Sequence, residues 1–199
     1  MPELDKLHAS MTACDKCDLR KQCTQVVPGE GEQTATIMFI GEGPDERDDQ
    51  IGVPFVGRAG RLLRDSMRSA KILNKKHLWY ISNIVRCRTP DNRDPFPTEV
   101  ESCWDWTLQT LKLIAPKIII PLGKSALYPL AHRLGFSNKI GQLKITKLAG
   151  KPFYVEKRGI YVMPFFHPSY AVRRNDVREE FESHMIYLGK AYQGWSERK

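Results

Sequence analysis

Four short apolar runs alternate with helical patterns along this chain, which leaves few folds open to it. Runs of strand length, bounded by glycine, proline or polar residues, predict strands at 36–40, 78–82, 117–122 and 160–166. Helical spacing predicts helices at 60–70, 98–114, 124–134 and 177–192, and Thr98 with Glu101 is a capping-box signature. Such alternation is typical of a parallel sheet with helices on both faces. We therefore expect an α/β fold.

Polar or glycine residues follow the predicted strands at the point where each strand ends. These residues are Glu42, Asn83, Gly123 and His167. Because open α/β sheets bind ligands outside the carboxyl ends of their strands, we expect a site at this edge. Glu42 lies in a glycine-rich loop, and Phe55 follows between proline and glycine, where the two could hydrogen-bond and stack a flat polar ring. The alternative is an ordinary turn with a solvated glutamate.

Length and charge restrict the class of protein. The 199 residues suit one domain, here 1–199, with an N-terminal arm at 1–35. The net charge of +8 attracts phosphate polymers, although charge alone gives no specificity and a solvated basic surface is the alternative. No apolar run approaches the roughly 18 residues of a membrane span, and no secretory signal is recognisable. We expect a cytoplasmic protein without a membrane partner.

Four of the five cysteines are candidate metal ligands. Cys14 and Cys17 form a C-x2-C pair, and Cys87 and Cys103 follow farther along the chain. Four thiolates suit either a tetrahedral zinc ion or a [4Fe–4S] cluster. Zinc sites usually pair two short hairpins, so the long separation of Cys87 and Cys103 favours the cluster. The alternative is that these thiols are simply buried. Cys23 is interpreted as a buried or spare thiol, and a fifth ligand is the alternative.

Five short motifs occur in a characteristic order. They are Gly41–Pro44, Pro54–Gly60, Asn83–Arg88, Asn92–Pro95 and His167–Tyr170. Together with the four cysteines, they resemble the family 4 uracil-DNA glycosylases, the iron–sulfur type found in prokaryotes. The resemblance covers roughly residues 14–190.

The resemblance implies both a fold and a reaction. The fold is a three-layer α/β/α sandwich over a four-stranded parallel sheet, with the N-terminal arm tied down by a [4Fe–4S] cluster. The cluster ligands it implies are Cys14, Cys17, Cys87 and Cys103. The reaction is DNA repair: uracil is flipped out of DNA and its N-glycosidic bond is hydrolysed, which leaves an abasic site. The expected partner is uracil-containing DNA, and the expected state is a monomer.

The resemblance also implies roles for individual residues. Phe55 would stack on the extruded uracil, and Asn83 would hydrogen-bond its pairing edge. His167 would stabilise the negative charge on the leaving base, and Glu42 would hold or activate the attacking water. The other implied positions are Gly41 and Gly43 for substrate binding, and Tyr170, Arg173 and Arg174 for DNA contact.

One position departs from the family pattern. Asp45 stands where the family usually has glycine, and it adds a negative group beside the expected pocket. It could repel phosphate or contribute to water activation. The alternative function is therefore a non-catalytic nucleic-acid binder that keeps the fold and the cluster. A relative that excises another deaminated base is disfavoured by Asn83, whose amide suits uracil.

Overall fold

A mixed six-stranded sheet forms the centre of the protein. The computed structural model describes residues 2–137 and 143–196. The strands are β1 Glu30–Gly31, β2 Ile37–Gly41, β3 Trp79–Asn83, β4 Ile118–Pro121, β5 Phe153–Val155 and β6 Ile160–Val162. They are arranged in the order β1-β3-β2-β4-β6-β5.

The prediction of a sheet with four strands was wrong in number. Strands β3, β2, β4 and β6 run parallel to one another, at the four predicted places along the chain. Strand β1 is added antiparallel to β3, and β5 is added antiparallel to β6. These edge strands have only two and three residues, which is too short for an apolar run or an alternating pattern to indicate them.

Helices cover both faces of the sheet. Their bounds are α1 Glu3–Thr12, α2 Leu19–Gln22, α3 Glu46–Ile51, α4 Arg58–Ser69, α5 Pro97–Ile114, α6 Lys124–Leu134, α7 Ile145–Leu148, α8 Pro168–Arg173 and α9 Asn175–Ser196. Alternate residues of β2 enter two cores, as strand geometry requires. Ile37 and Phe39 pack with α4, α8 and α9, whereas Met38 and Ile40 pack with α1, α5 and α6.

Several predicted boundaries needed correction. Helix α5 begins at Pro97, where a proline suits the first helical position, and Glu99 rather than Glu101 accepts a hydrogen bond from the Phe96 N–H at 2.7 Å. The last predicted strand is regular only to Val162. Beyond it, Phe165 forms an isolated bridge with Leu122, and its N–H donates to the Pro121 carbonyl at 2.9 Å. The irregular stretch expected before 150 contains α7, and its residues 138–142 lie outside the described part of the chain.

The N-terminal segment is held by apolar packing. Helix α1 packs against α5 and buries Leu4 and Met11. His8 Nε2 lies 2.7 Å from the hydroxyl of Tyr80 on β3. None of the helices in the described ranges is both long and apolar enough to cross a membrane.

Candidate active site

A cavity of about 770 Å³ opens at the carboxyl ends of the central strands. Glu42 and Gly43 reach it from the loop after β2, and His167 reaches it from the loop after β6. Tyr170 and Arg173 line it from α8. The structure thus brings together five of the predicted site residues, although they are spread over more than a hundred positions of sequence.

Phe55, Asn83 and Gly41 lie behind this cavity rather than in its wall. Phe55 is 5% exposed and Asn83 is fully buried. Both crowd Gly41, because a Cβ added there would overlap the Asn83 Oδ1 and the Phe55 ring. The ring centroids of Phe55 and His167 are 6.1 Å apart. These side chains therefore form one cluster at the closed end of the site.

The Asn83 amide has no hydrogen-bond partner among residues 2–137 and 143–196. Both its Oδ1 and its Nδ2 are buried and unpaired. Buried polar groups nearly always have partners, since an unsatisfied one costs about 1–3 kcal/mol. This amide therefore offers one acceptor and one donor side to a ligand that carries the complementary groups.

The backbone at Phe55 is held in a strained conformation. Its φ of 56° is unusual for a residue other than glycine. The buried carboxylate of Asp48 accepts hydrogen bonds from the N–H groups of Phe55 and Val56, at 2.9 and 2.8 Å. Gly60 packs so closely against the Phe55 backbone that a Cβ would overlap it. Such strain persists only where the surroundings fix it, so the position of the ring is set before any ligand binds.

Arg64 completes this clamp from the opposite side. Its guanidinium donates to the carbonyl oxygens of Phe55 and Pro54, at 2.9 and 2.8 Å. The guanidinium is itself paired with Glu30 on the edge strand β1. Sequence reasoning missed this role, because no local pattern links Arg64 to a loop nine residues earlier.

His167 is neutral, and its proton lies on one identifiable nitrogen. Its Nδ1 accepts a hydrogen bond from the Ser169 N–H at 3.2 Å and lies 2.7 Å from the Ser169 Oγ. Burial, and after it the charge of Arg173, lowers the pKa of His167 to about 4, while Asp45 opposes the shift. A neutral imidazole that accepts at Nδ1 carries its proton on Nε2, so the ring presents an N–H donor.

Glu42 shares its end of the cavity with residues that the motifs did not single out as functional. Burial raises the pKa of Glu42, a hydrogen bond from Ser125 opposes this, and the nearby Asp94 carboxylate adds to it. Lys124 lines the same wall. Ser125 and Lys124 directly follow Gly123 at the end of β4, and that position was the available sequence signal.

Asp45 has a structural role that explains its carboxylate. It caps α3 by accepting hydrogen bonds from the N–H groups of Arg47 and Asp48, at 2.8 and 2.9 Å. Short polar side chains are preferred at this position because they satisfy N–H groups left free at a helix start. Asp45 also lines the cavity, so its charge lies near the site while its oxygen is engaged in the cap.

The three residues predicted to contact DNA are not equivalent. Tyr170 is 36% exposed at the mouth of the cavity, and Arg173 lines it. Arg174 instead forms an ion pair with Asp176 at 2.7 Å, outside the cavity wall. Of the two arginines, Arg173 is therefore the one whose charge faces the site.

The four predicted cysteine ligands line a second, smaller cavity. Cys14 and Cys17 reach it from the N-terminal segment, and Cys87 and Cys103 from the loop after β3 and from α5. The indole Nε1–H of Trp106 donates to Cys14 Sγ at 3.2 Å.

Several contacts in this cavity were not predicted. Burial raises the pKa of the Cys103 thiol, and the nearby backbone N–H of Arg86 opposes this. The Cys23 thiol donates to the Arg20 carbonyl at 3.7 Å and lies close to Cys87. Cys23 therefore lies beside the predicted ligands. No three metal-binding groups in residues 2–137 and 143–196 converge tightly enough to hold a single ion.

Comparison with known proteins identifies the family. The model of the uracil DNA glycosylase superfamily matches residues 28–188. The type-4 uracil-DNA glycosylase of Archaeoglobus fulgidus is 37% identical over 192 residues, which are 96% of this chain and 94% of that protein. The type-4 enzyme of Thermotoga maritima is 38% identical over 89% of this chain and 90% of its own length, and that of Sulfurisphaera tokodaii is 37% identical over 92% and 81%. The chain belongs to the uracil DNA glycosylase superfamily, and within it to the type-4 family.

Proposed function

We propose that this protein is a DNA repair enzyme that flips uracil out of DNA and hydrolyses its N-glycosidic bond. The observation that carries the proposal is the buried, unpaired amide of Asn83 in one group with Phe55, whose ring lies 6.1 Å from the neutral imidazole of His167. The type-4 relatives, named as uracil-DNA glycosylases, support it. A base inside the double helix cannot be reached, so it must be extruded first, at a cost of a few kcal/mol.

Asn83 would select the base by its pairing edge. Its Oδ1 can accept from the N3–H of uracil, and its Nδ2–H can donate to O4. Cytosine lacks the N3–H and presents an amine at position 4, so both contacts are mismatched. The ring of Phe55 would stack on the base. Because Asn83 and Phe55 lie behind the cavity wall, we infer that neighbouring side chains shift when the base enters.

His167 and Glu42 would serve the chemical step. As the glycosidic bond breaks, negative charge builds on the uracil oxygens, and the Nε2–H of His167 would donate to O2. A neutral donor stabilises the anion without transferring its proton. Glu42, in its ionised form, would hold and activate the water that attacks the sugar carbon. Pre-aimed donors of this kind are worth about 2.7–4 kcal/mol each in other enzymes.

The direct test is the formation of abasic sites in a uracil-containing oligonucleotide. We expect the wild-type protein to produce alkali-labile sites at uracil and none in a matched oligonucleotide with thymine. Binding of uracil DNA without cleavage would instead establish the non-catalytic binder. Asp45 was the feature that favoured this alternative, and its cap on α3 now accounts for that residue.

We also propose that the four cysteines hold a [4Fe–4S] cluster. Each thiolate of such a cluster binds a different iron, so the sulfurs surround a volume instead of meeting at one point. The second cavity fits this requirement, with the four cysteines around it, the Trp106 N–H donating to Cys14 and the Arg86 N–H near Cys103. A tetrahedral zinc ion needs converging ligands, which the described residues do not provide. When bound, the cluster would supply a covalent tie between the N-terminal segment, the loop after β3 and α5.

We propose, further, that residues 1–199 form one domain that acts as a monomer. Both apolar cores share the single sheet, and the helices of the N-terminal segment pack into one of them. Light scattering of the purified protein with and without DNA tests this state.

Replacing Cys103 with alanine should remove the cluster and destabilise the fold. Cluster binding is coupled to folding, so the loss of one ligand is expected to lower both iron content and thermal stability. Iron analysis, the visible absorbance of the cluster and thermal unfolding measure these effects. Cys23→Ala is the matched control, because it removes a neighbouring thiol outside the ligand set. Full iron content in Cys103→Ala, or stoichiometric zinc without iron in the wild type, would show that the assignment is wrong.

Charge reversal at Arg173 should weaken the salt dependence of DNA binding. Each phosphate contact releases counterions and contributes about −0.9 to the slope of log K against log salt. We expect Arg173→Glu to flatten the slope by about one contact or more, and Arg174→Glu to do less, since Asp176 already pairs with Arg174. Titrations at several salt concentrations measure the slopes. Unchanged slopes in both variants would move the DNA face to the loop at 88–93.

A further inference from the structure

Arg86 is a buried cation for which the proposed reaction has no use. It directly precedes Cys87, and its side chain is 1% exposed. All three of its guanidinium nitrogens are buried, and the part of the chain that the structure describes gives them no hydrogen-bond partner. A buried guanidinium normally has a carboxylate and several acceptors, because removing a charge from water costs several kcal/mol.

The surroundings of Arg86 indicate what its partner is. The side chain lines the same cavity as the four cysteines. Its carbonyl accepts a hydrogen bond from the Val27 N–H at 2.8 Å, which fixes the main chain here, and its backbone N–H lies near Cys103. The guanidinium interacts electrostatically with the thiols of Cys103 and Cys87 and with the hydroxyl of Tyr80. Within the ranges the structure describes, Arg86 has no ion pair with an aspartate or glutamate.

We propose that the Arg86 guanidinium is the buried counter-charge and hydrogen-bond donor of the cluster. The inference rests on the proposed cluster. Four thiolates outweigh the positive charge of a [4Fe–4S] core, so the loaded site carries net negative charge in a place with little water. Arg86 has five N–H donors and cannot lose its proton, and sulfur atoms accept such bonds. It is a positioning residue, since it acts on the cluster and does not contact uracil.

Two properties of the cluster should then depend on Arg86. Hydrogen bonds to the sulfurs and nearby charge are among the factors that set the reduction potential of an iron–sulfur cluster. Removing a neighbouring cation disfavours the extra electron of the reduced form, so the midpoint potential should fall. The same loss leaves the thiolates less well compensated, so the cluster should be released more readily.

The test compares Arg86→Met and Arg86→Lys with the wild type, all purified without air. Measurements are iron per chain, the rate at which visible absorbance bleaches in air, and the midpoint potential by protein-film voltammetry. We expect Arg86→Met to bleach faster and to shift the one-electron equilibrium by about tenfold, or about 59 mV, toward the oxidised form. Arg86→Lys keeps the charge and should recover most of the shift. Arg68→Met, at an exposed arginine of α4, is the matched control.

The outcomes separate this inference from the cluster itself. A wild-type protein without iron overturns both. An iron-loaded wild type whose Arg86→Met variant keeps the same iron content, bleaching rate and potential overturns the role of Arg86 alone. If Arg86 had no partner in the loaded protein, we would expect the apolar methionine to replace its buried charge at no cost in stability. If Arg86→Met does not accumulate as folded protein, Arg86→Gln gives the same measurements, and a wild-type potential in that variant overturns the inference.

Discussion

Replacing His167 with alanine should lower the single-turnover rate of uracil excision by about 10² or more, with only a modest loss of DNA affinity. The substitution removes the Nε2–H donor, whose interaction strengthens as charge develops on the leaving base. It leaves the basic mouth of the site unchanged. Rapid-quench measurement of abasic sites and a binding titration on the same oligonucleotide separate the two effects. His77→Ala, at an exposed histidine outside the site, is the control.

The pH dependence of the rate provides a second check on His167. Its pKa is lowered to about 4, so the ring is already a neutral donor at any higher pH. Titration of His167 should therefore cause no change in rate around neutral pH. The pKa of Glu42 is raised, so protonation of Glu42 should instead produce the loss of rate on acidification. Glu42→Gln should abolish that acidic limb. An active enzyme with an unaffected His167→Ala variant would require a different leaving-group stabiliser.

Replacing Asn83 with aspartate should reduce the preference for uracil over cytosine by about a hundredfold or more. Sites built to hydrogen-bond one set of groups reject a mismatched base by up to about 10⁴–10⁵, because buried polar groups are left unpaired. The aspartate removes the donor to uracil O4 and offers an acceptor to the cytosine amine. Excision rates on paired uracil and cytosine oligonucleotides measure the ratio.

The control for this substitution is Asn92→Asp. Asn92 also has an amide side chain and lines the cavity. The variant therefore adds a similar charge without changing the side chains packed around Asn83. Equal changes in both variants would mean that charge in the cavity, and not the pairing edge of the base, governs selectivity. An unchanged ratio in Asn83→Asp would remove Asn83 from base recognition.

The sequence was sufficient to predict the central strands and the edge at which polar residues meet. Apolar runs such as Ile37–Ile40 are local signals, and parallel strands necessarily bring their carboxyl ends to one edge of a sheet. The convergence of Glu42 and His167 on one cavity follows from that rule. The edge strands β1 and β5 could not be predicted, because two or three residues carry no periodicity.

The remaining features depend on contacts between distant parts of the chain. The unpaired guanidinium of Arg86 appears in the sequence as an ordinary arginine in a basic loop. The cap formed by Asp45 was interpreted as a disturbance of the pocket, because nothing in the motif shows that α3 begins there. Arg64 likewise had the pattern of a solvated helix face. Burial and three-dimensional neighbours decide the role of such residues, and periodicity does not encode either.

The clamp on the Phe55 backbone, which includes Arg64, makes the base pocket sensitive to changes in a peripheral part of the molecule. Glu30 belongs to a strand of two residues at the margin of the sheet, yet its carboxylate is paired with the arginine that holds the Phe55 loop. A neutral substitution at Glu30 would leave both cores intact and release one support of a strained turn. We expect such a variant to bind the extruded base more weakly while its thermal unfolding temperature stays close to that of the wild type. Substitutions on this edge strand would therefore change substrate affinity, although no residue of the strand contacts DNA.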